Sequence, residues 1–396
     1  MSSATDKARY FLEQSIPELK EYERKKIFSK DELSSIIKKR SDFEHKLNSR
    51  GSQPVDFVRY AEYEMNLDLL RRKRVKRLGI RAAGFSGQRR IFFILDRATR
   101  KFHGDIGLWV QYIEYARQQK AHKKLSQVFT DALRLHPTNA DLWTYAAKYM
   151  IEDHADMTQA RSYMQRGLRF CKRSKKLWID YAKLELIYIT KLVARQKILG
   201  LDQPIKPAAL TADTAFDDLD ADMIALPQIT EEDINPTAAG DDEVDETALK
   251  NLSATPALSG AIPLAIFDTA MKTFDNDDKF GHEFYDMVLG FADIPCLSKI
   301  LGHVVEVLLA AKPISHHTLI CYIRFPTVGI RTDSADFPRA LGTSLGRLKE
   351  HRHDPKLAEE VISWLQPLQQ TEGLDPALQQ VMAATIRTAE KALQTK

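Results

Sequence analysis

Cysteine is scarce in this sequence. Cys171, Cys296 and Cys321 are the only three in 396 residues. They form no CxxC and no disulfide framework, which points to a reducing compartment. No run approaches the roughly 20 apolar residues needed to span a bilayer. Met1 to Tyr10 also lacks the apolar core of a signal peptide, so no membrane partner is expected. Period-two alternation of useful length is missing, and with it any strand pattern. The vocabulary of catalysis is missing too: there is no Walker-type loop, no nucleophile elbow and no HExxH. Asp275, Asp277 and Asp278 lack the glycine and final glutamate of a calcium loop. His316-His317 and His351-x-His353 have no Cys or acidic ligands at fixed offsets, so they read as surface histidines rather than a metal site. The expectation is a protein with no enzymatic activity, no cofactor and no small-molecule substrate.

A short pattern is present three times: Leu108-Trp109, Leu142-Trp143 and Leu177-Trp178. The tryptophans are 34 and 35 residues apart, a period that marks an array of antiparallel helix pairs. Three residues after each Trp stand Tyr112, Ala146 and Tyr181, on the same helix face. Eleven before it stand Ala98, Ala132 and Gly167, small enough to let a bulky ring approach from a neighbouring helix. Phe57, Tyr60 and Glu64 repeat the spacing of Trp178, Tyr181 and Glu185 as a divergent earlier unit. Indoles at repeat spacing read as inter-helix core; stacking on nucleic-acid bases is the competing reading. Glu64 and Glu185 read as partly buried and bonded to a neighbouring helix, since no second carboxylate or cleft accompanies them.

The predicted fold is all-α, an α-α superhelix. A first helix is expected over 7–26, with Phe11, Ile16, Leu19 and Tyr22 as its apolar side. The capping box Ser29 to Glu32 opens a second through about Leu47, burying Leu33, Ile36, Ile37 and Phe43. A third starts near Val55 and runs into Arg71-Arg72-Lys73-Arg74-Val75-Lys76-Arg77. Helices alternate to about Leu199, the last of them long. Further helices are expected over 297–311, 337–352, 355–370 and 376–394. The domain reading is an N-terminal helical region over 1–54, a repeat array over 55–202, an insert over 203–262 and divergent helical repeats over 263–396.

The net charge of +4 conceals an asymmetry. Between Pro204 and Pro256 stand 13 acidic residues and two lysines, leaving +15 on the rest of the chain. A basic body suits a polyanionic partner, although a basic surface also serves solubility alone. The acidic insert has too few apolar residues to offset its ordering entropy and reads as a disordered loop; mimicry of RNA is the sharper alternative.

The Trp-x-x-Tyr helix followed by an Arg/Phe/Ala helix resembles the half-a-tetratricopeptide (HAT) repeat of RNA-processing assemblies. The tetratricopeptide repeat itself is less similar, because its Leu-Gly and Ala-Phe spacings are missing here. Further segments sharpen the match: Ile16-Pro17-Glu18-Leu19, Phe28-Ser29, Ile36 to Glu44, Asp56-Phe57-Val58-Arg59-Tyr60, and Tyr63-Glu64 through Leu67 into Arg71-Arg72-Lys73-Arg74. Together they resemble the U-three small nucleolar RNA-associated protein six family over residues 10–190. That resemblance implies a nucleolar subunit of the small-subunit processome. It implies WD40 propeller subunits of the UtpB subcomplex as partners, and an assembly that binds the 5′ external transcribed spacer of pre-rRNA and the U3 small nucleolar RNA.

Under it, Arg71, Arg72, Lys73, Arg74, Lys76 and Arg77 become candidate phosphate contacts, each adding to the salt dependence of binding. The alternatives are a solvated helix end, favoured by the helix dipole, or a pairing with acidic residues of a neighbouring subunit. Lys123 and Lys124, with Arg173, Lys175 and Lys176, recur near repeat turns as a second set of candidates. Two other readings remain open: a HAT scaffold of another RNA-processing complex (splicing or mRNA 3′-end cleavage), and a tetratricopeptide-like adaptor that grips peptide tails without RNA.

Overall fold

A computed structural model describes residues 4–79, 86–198, 256–291, 294–351, 354–370 and 374–394. Among them the chain is a succession of helices and short turns with no strand, the all-α fold expected. It divides into two compact units, Met1–Leu142 and Trp143–Lys396.

The first unit contains α1 (Ala4–Glu13), α2 (Ile16–Arg24), α3 (Lys30–Asn48), α4 (Pro54–Leu78), α5 (Ser86–Lys101), α6 (Ile106–Gln118) and α7 (His122–Leu135). The boundary between the units falls inside α8 (Ala140–Asp153). The single helix expected over 7–26 is two helices. The chain breaks at Gln14-Ser15, where the Ser15 hydroxyl donates to the Leu12 carbonyl at 2.7 Å. Pro17 then sits in the first turn of α2, where a missing N–H costs nothing. Ile16 is thereby left exposed rather than on the apolar side. The capping box is formed: Glu32 N–H donates to Ser29 Oγ at 3.2 Å, and Ser29 N–H to Glu32 Oε2 at 2.9 Å. Of the expected buried face of α3, Leu33 and Ile36 are buried, Phe43 is half-buried and Ile37 is exposed. Leu19, Tyr22, Ile27, Phe28, Leu33 and Ile36 form one core cluster, closed by Leu67 and Val75 of α4.

The second unit continues α8 and holds α9 (Met157–Phe170) and the long α10 (Lys175–Ile198). After the undescribed residues come a 3₁₀ turn (Pro256–Ser259) and α11 (Ala261–Thr273), α12 (Asp278–Leu289), α13 (Leu297–Ala311) and α14 (His316–Arg324). A second 3₁₀ turn (Phe325–Thr327) leads to α15 (Phe337–Glu350), α16 (Pro355–Gln369) and α17 (Pro376–Gln394). Most of the acidic insert expected over 203–262 lies outside the described residues. Helix α10 packs on α11 and α12, and α14 packs on α12 and α16. Phe267, Phe280, Phe284, Tyr285 and Val288 are fully buried there.

Candidate functional site

The repeat residues lie in the core of their units. In the first, Phe57, Tyr60, Ala98, Trp109, Tyr112 and Ala132 are all buried. The Trp109 indole N–H donates to the His103 carbonyl at 3.0 Å, tying the helix to the turn six residues before it. In the second, Trp143, Gly167, Trp178 and Tyr181 are buried, and the Trp178 indole donates to the Lys172 carbonyl, again six residues back, at 3.0 Å. The two turns share this geometry: the one polar atom of each large apolar ring is satisfied by a turn carbonyl. Trp143 stacks on Phe170 with ring centroids 6.1 Å apart. All three indoles are less than a tenth exposed, as inter-helix core residues are.

The two glutamates seven residues after an aromatic each hold an arginine 24 residues earlier. Arg40 donates from Nε and Nη2 to the two oxygens of Glu64 at 2.7 and 2.8 Å. Arg161 grips Glu185 the same way, at 2.7 Å twice. Glu64, Arg40 and Glu185 are buried. Burial works to discharge Arg40, but the facing Glu64 outweighs it and its pKa is raised. Glu18 lies 3.9 Å from Arg40 and 3.3 Å from Arg90. The glutamates were legible from their spacing. Their arginine partners were missed, although the shared offset of 24 residues was available as a signal.

The basic run at the end of α4 is split by function. Arg71 is buried and donates to Asp68 at 2.9 and 2.7 Å. Arg72 reaches the other oxygen of Asp68 at 2.7 Å and Gln119 at 3.1 Å. Arg74 forms a fork with Glu32 at 2.7 Å twice, donates to the Ile27 carbonyl at 3.1 Å, and covers the Phe28 ring. Hydrogen bonds from Arg74 and the Ser29 N–H hold the Glu32 carboxyl down at about 2. Lys73, Lys76 and Arg77 are exposed and form no ion pair among the described residues. Three of the six charges therefore brace the fold, and three face solvent.

Of the second set, Lys123 is exposed, while half-buried Lys124 lies 3.5 Å from Asp96. Lys124 lines a cleft of about 320 Å³ with Asp96, Arg100, Trp109, Tyr112 and Arg134. In the second unit Arg173 and Lys176 are exposed, and Lys175 pairs with Asp277.

Of the histidines expected at the surface, His316, His317 and His351 are half-buried, and His353 lies outside the described residues. His317 is half-buried rather than on the surface, because α14 turns it toward α12 and α16, where His282 and Glu360 stand. Burial pushes both imidazoles below their ordinary value. Burial, with the Asp286 charge adding to it, raises the Glu360 carboxyl to about 7.

Comparison with known proteins gives this arrangement a relationship. Residues 12–96 match the family model described as U3 small nucleolar RNA-associated protein 6. Residues 91–196 match that of the PRP39 N-terminal HAT repeat. The chain is similar to U3 small nucleolar RNA-associated protein 6 of Schizosaccharomyces pombe, 40% identical over 235 residues, which is 58% of this chain and 48% of that protein. It is 34% identical over 191 residues to the human homolog, covering 46% of this chain and 31% of that one. With the Dictyostelium discoideum homolog it shares 29% over 292 residues, 73% of this chain and 46% of the other. The chain thus spans half or less of the length of these relatives. The likeness to the U3 small nucleolar RNA-associated protein 6 family is strongest over α1 to α5, and the likeness to the PRP39 N-terminal HAT repeat follows it from residue 91.

Proposed function

We propose that this chain is a non-catalytic scaffold subunit of the small-subunit processome, acting in pre-rRNA processing and 18S rRNA maturation in the nucleolus. The observation that carries the reading is the match of residues 12–96 to a family named for association with U3 small nucleolar RNA. Within each unit, helix pairs held by buried indoles and an Arg–Glu fork give a support for protein–protein contacts. Its partners are WD40 propeller subunits of the UtpB subcomplex, with pre-rRNA and U3 small nucleolar RNA reached directly or through the complex. For direct RNA contact the exposed cations Lys73, Lys76 and Arg77 are the first candidates, followed by Lys123, Arg173 and Lys176. Arg71 and Arg74, already committed to Asp68 and Glu32, serve the fold.

Affinity purification of the tagged chain tests the assignment. Co-purification of U3 small nucleolar RNA with propeller subunits is expected; recovery without either rejects it. A second reading, a HAT scaffold of another RNA-processing complex, draws on the match of residues 91–196. It predicts a different RNA and different protein partners in the same experiment.

A further inference from the structure

We propose that His282, His317 and Glu360 form a site for a divalent transition-metal ion such as Zn²⁺, built between helices α12, α14 and α16 of the second unit. This inference is independent of the RNA-processing reading. One ligand atom from each of the three residues lies within 4.8 Å of the others. His317 Nδ1 is 3.1 Å from Glu360 Oε1, and His282 Nδ1 is 3.9 Å from the same oxygen. Tetrahedral coordination with bonds of about 2.0–2.1 Å places ligand atoms about 3.3 Å apart. One edge of the triangle is already near that length, and the others close with side-chain rotation.

The polar bookkeeping of the cluster points the same way. His317 Nδ1 approaches Glu360 closely but not along a hydrogen-bonding direction. His317 Nδ1 and Glu360 Oε2 are both buried and have no hydrogen-bond partner among the described residues. Buried polar atoms are normally satisfied, so a pair left like this needs an explanation. A cation seated between them accepts the lone pairs of both. Two imidazoles and one carboxylate are a donor set suited to zinc and its neighbours, not to calcium or magnesium.

Surrounding groups fit as well. Asp286 lies 3.3 Å from His282 Nε2, on the far side of the ring from Glu360. His282 Nε2 is itself buried without a hydrogen-bond partner, so Asp286 acts on the imidazole through its charge alone. Arg324 is the opposing charge nearby, and Asp286 neutralises it at 2.7 Å. The His316 ring lies beside that of His317, with centroids 4.0 Å apart. Three protein ligands leave a coordination position for water or for a group from a partner.

The test uses the full chain after chelator treatment and dialysis. Titration calorimetry with Zn²⁺ should give one site per chain, and Co²⁺ should produce the visible bands of a low-symmetry, four-coordinate ion. His317→Ala and Glu360→Gln should each weaken binding at least tenfold, while His45→Ala, in the other unit, should leave it unchanged. Circular dichroism checks that each variant is folded. Should a variant unfold, diethyl pyrocarbonate labelling of the unaltered chain decides: Zn²⁺ should protect His282 and His317 and not His45. No binding, a silent Co²⁺ spectrum, binding that survives both substitutions, or no selective protection overturns the proposal.

Discussion

Gly167 of α9 lies against the indole of Trp143 on α8. A Cβ on that glycine would fall 2.8 Å from Cγ of the ring and 2.9 Å from the Trp Cβ. Neither atom belongs to the free end of a flexible side chain, so the backbones must separate to admit even a methyl group. Gly167→Ala should therefore destabilise the second unit by about 1–3 kcal/mol, despite its better helix propensity. Trp143→Ala should cost more, about 3–5 kcal/mol. Urea denaturation followed by circular dichroism measures both; an unchanged midpoint for Gly167→Ala would show that the helices yield.

The buried fork between Arg40 and Glu64 gives a second prediction. Removing one partner strands a charge away from water. Glu64→Ala should cost about 3–5 kcal/mol, whereas the paired replacement Arg40→Met with Glu64→Leu should recover most of the loss. The same denaturation experiment on three proteins forms the comparison. A double variant no better than Glu64→Ala would show that the fork supplies more than neutralisation.

The split of the basic run separates fold from binding. Changing Lys73, Lys76 and Arg77 together to Gln should alter stability by less than about 0.5 kcal/mol. If these side chains meet RNA phosphates, each should subtract about 0.7 from the log–log salt slope for single strands. Arg74→Ala should instead lower stability by about 1 kcal/mol, through loss of its fork with partly exposed Glu32. Filter binding over a salt series and thermal melts read the two effects. An equal loss of stability in both variants refutes the division.

Asp278 predicts a pH dependence. Burial acts to raise its pKa, but hydrogen bonds from Lys312 and Ser315 outweigh it and lower the group from 3.8 to about 2. A depressed acid stabilises the fold above its unfolded pKa and loses that contribution as pH falls through the folded value. The stability gap between the unaltered chain and Asp278→Asn should thus be constant above about pH 4. It should shrink toward pH 2, from a plateau of about 1–2 kcal/mol once solvent screening at Lys312 is allowed for. Urea midpoints across this range check it; a constant gap shows that Asp278 is not titrating there.

The helical repeat was legible in the linear chain. Indoles spaced 34 and 35 residues apart, small residues eleven before them and a capping box at Ser29 are local or periodic features, and short-range sterics and backbone hydrogen bonding translate them directly into helix pairs. The break at Gln14-Ser15 was the exception, because an amphipathic stripe continued past the point where Pro17 starts a new helix. Helix packing sets which charges are available. Arg71 and Arg74 look no different from Lys73 and Arg77 in a linear run, and only folding brings Asp68 and Glu32 against the first two. It also brought His282 and Glu360 to His317 across 35 and 43 residues of sequence. No local pattern encodes such a cluster, since its geometry arises from three helices packing side by side.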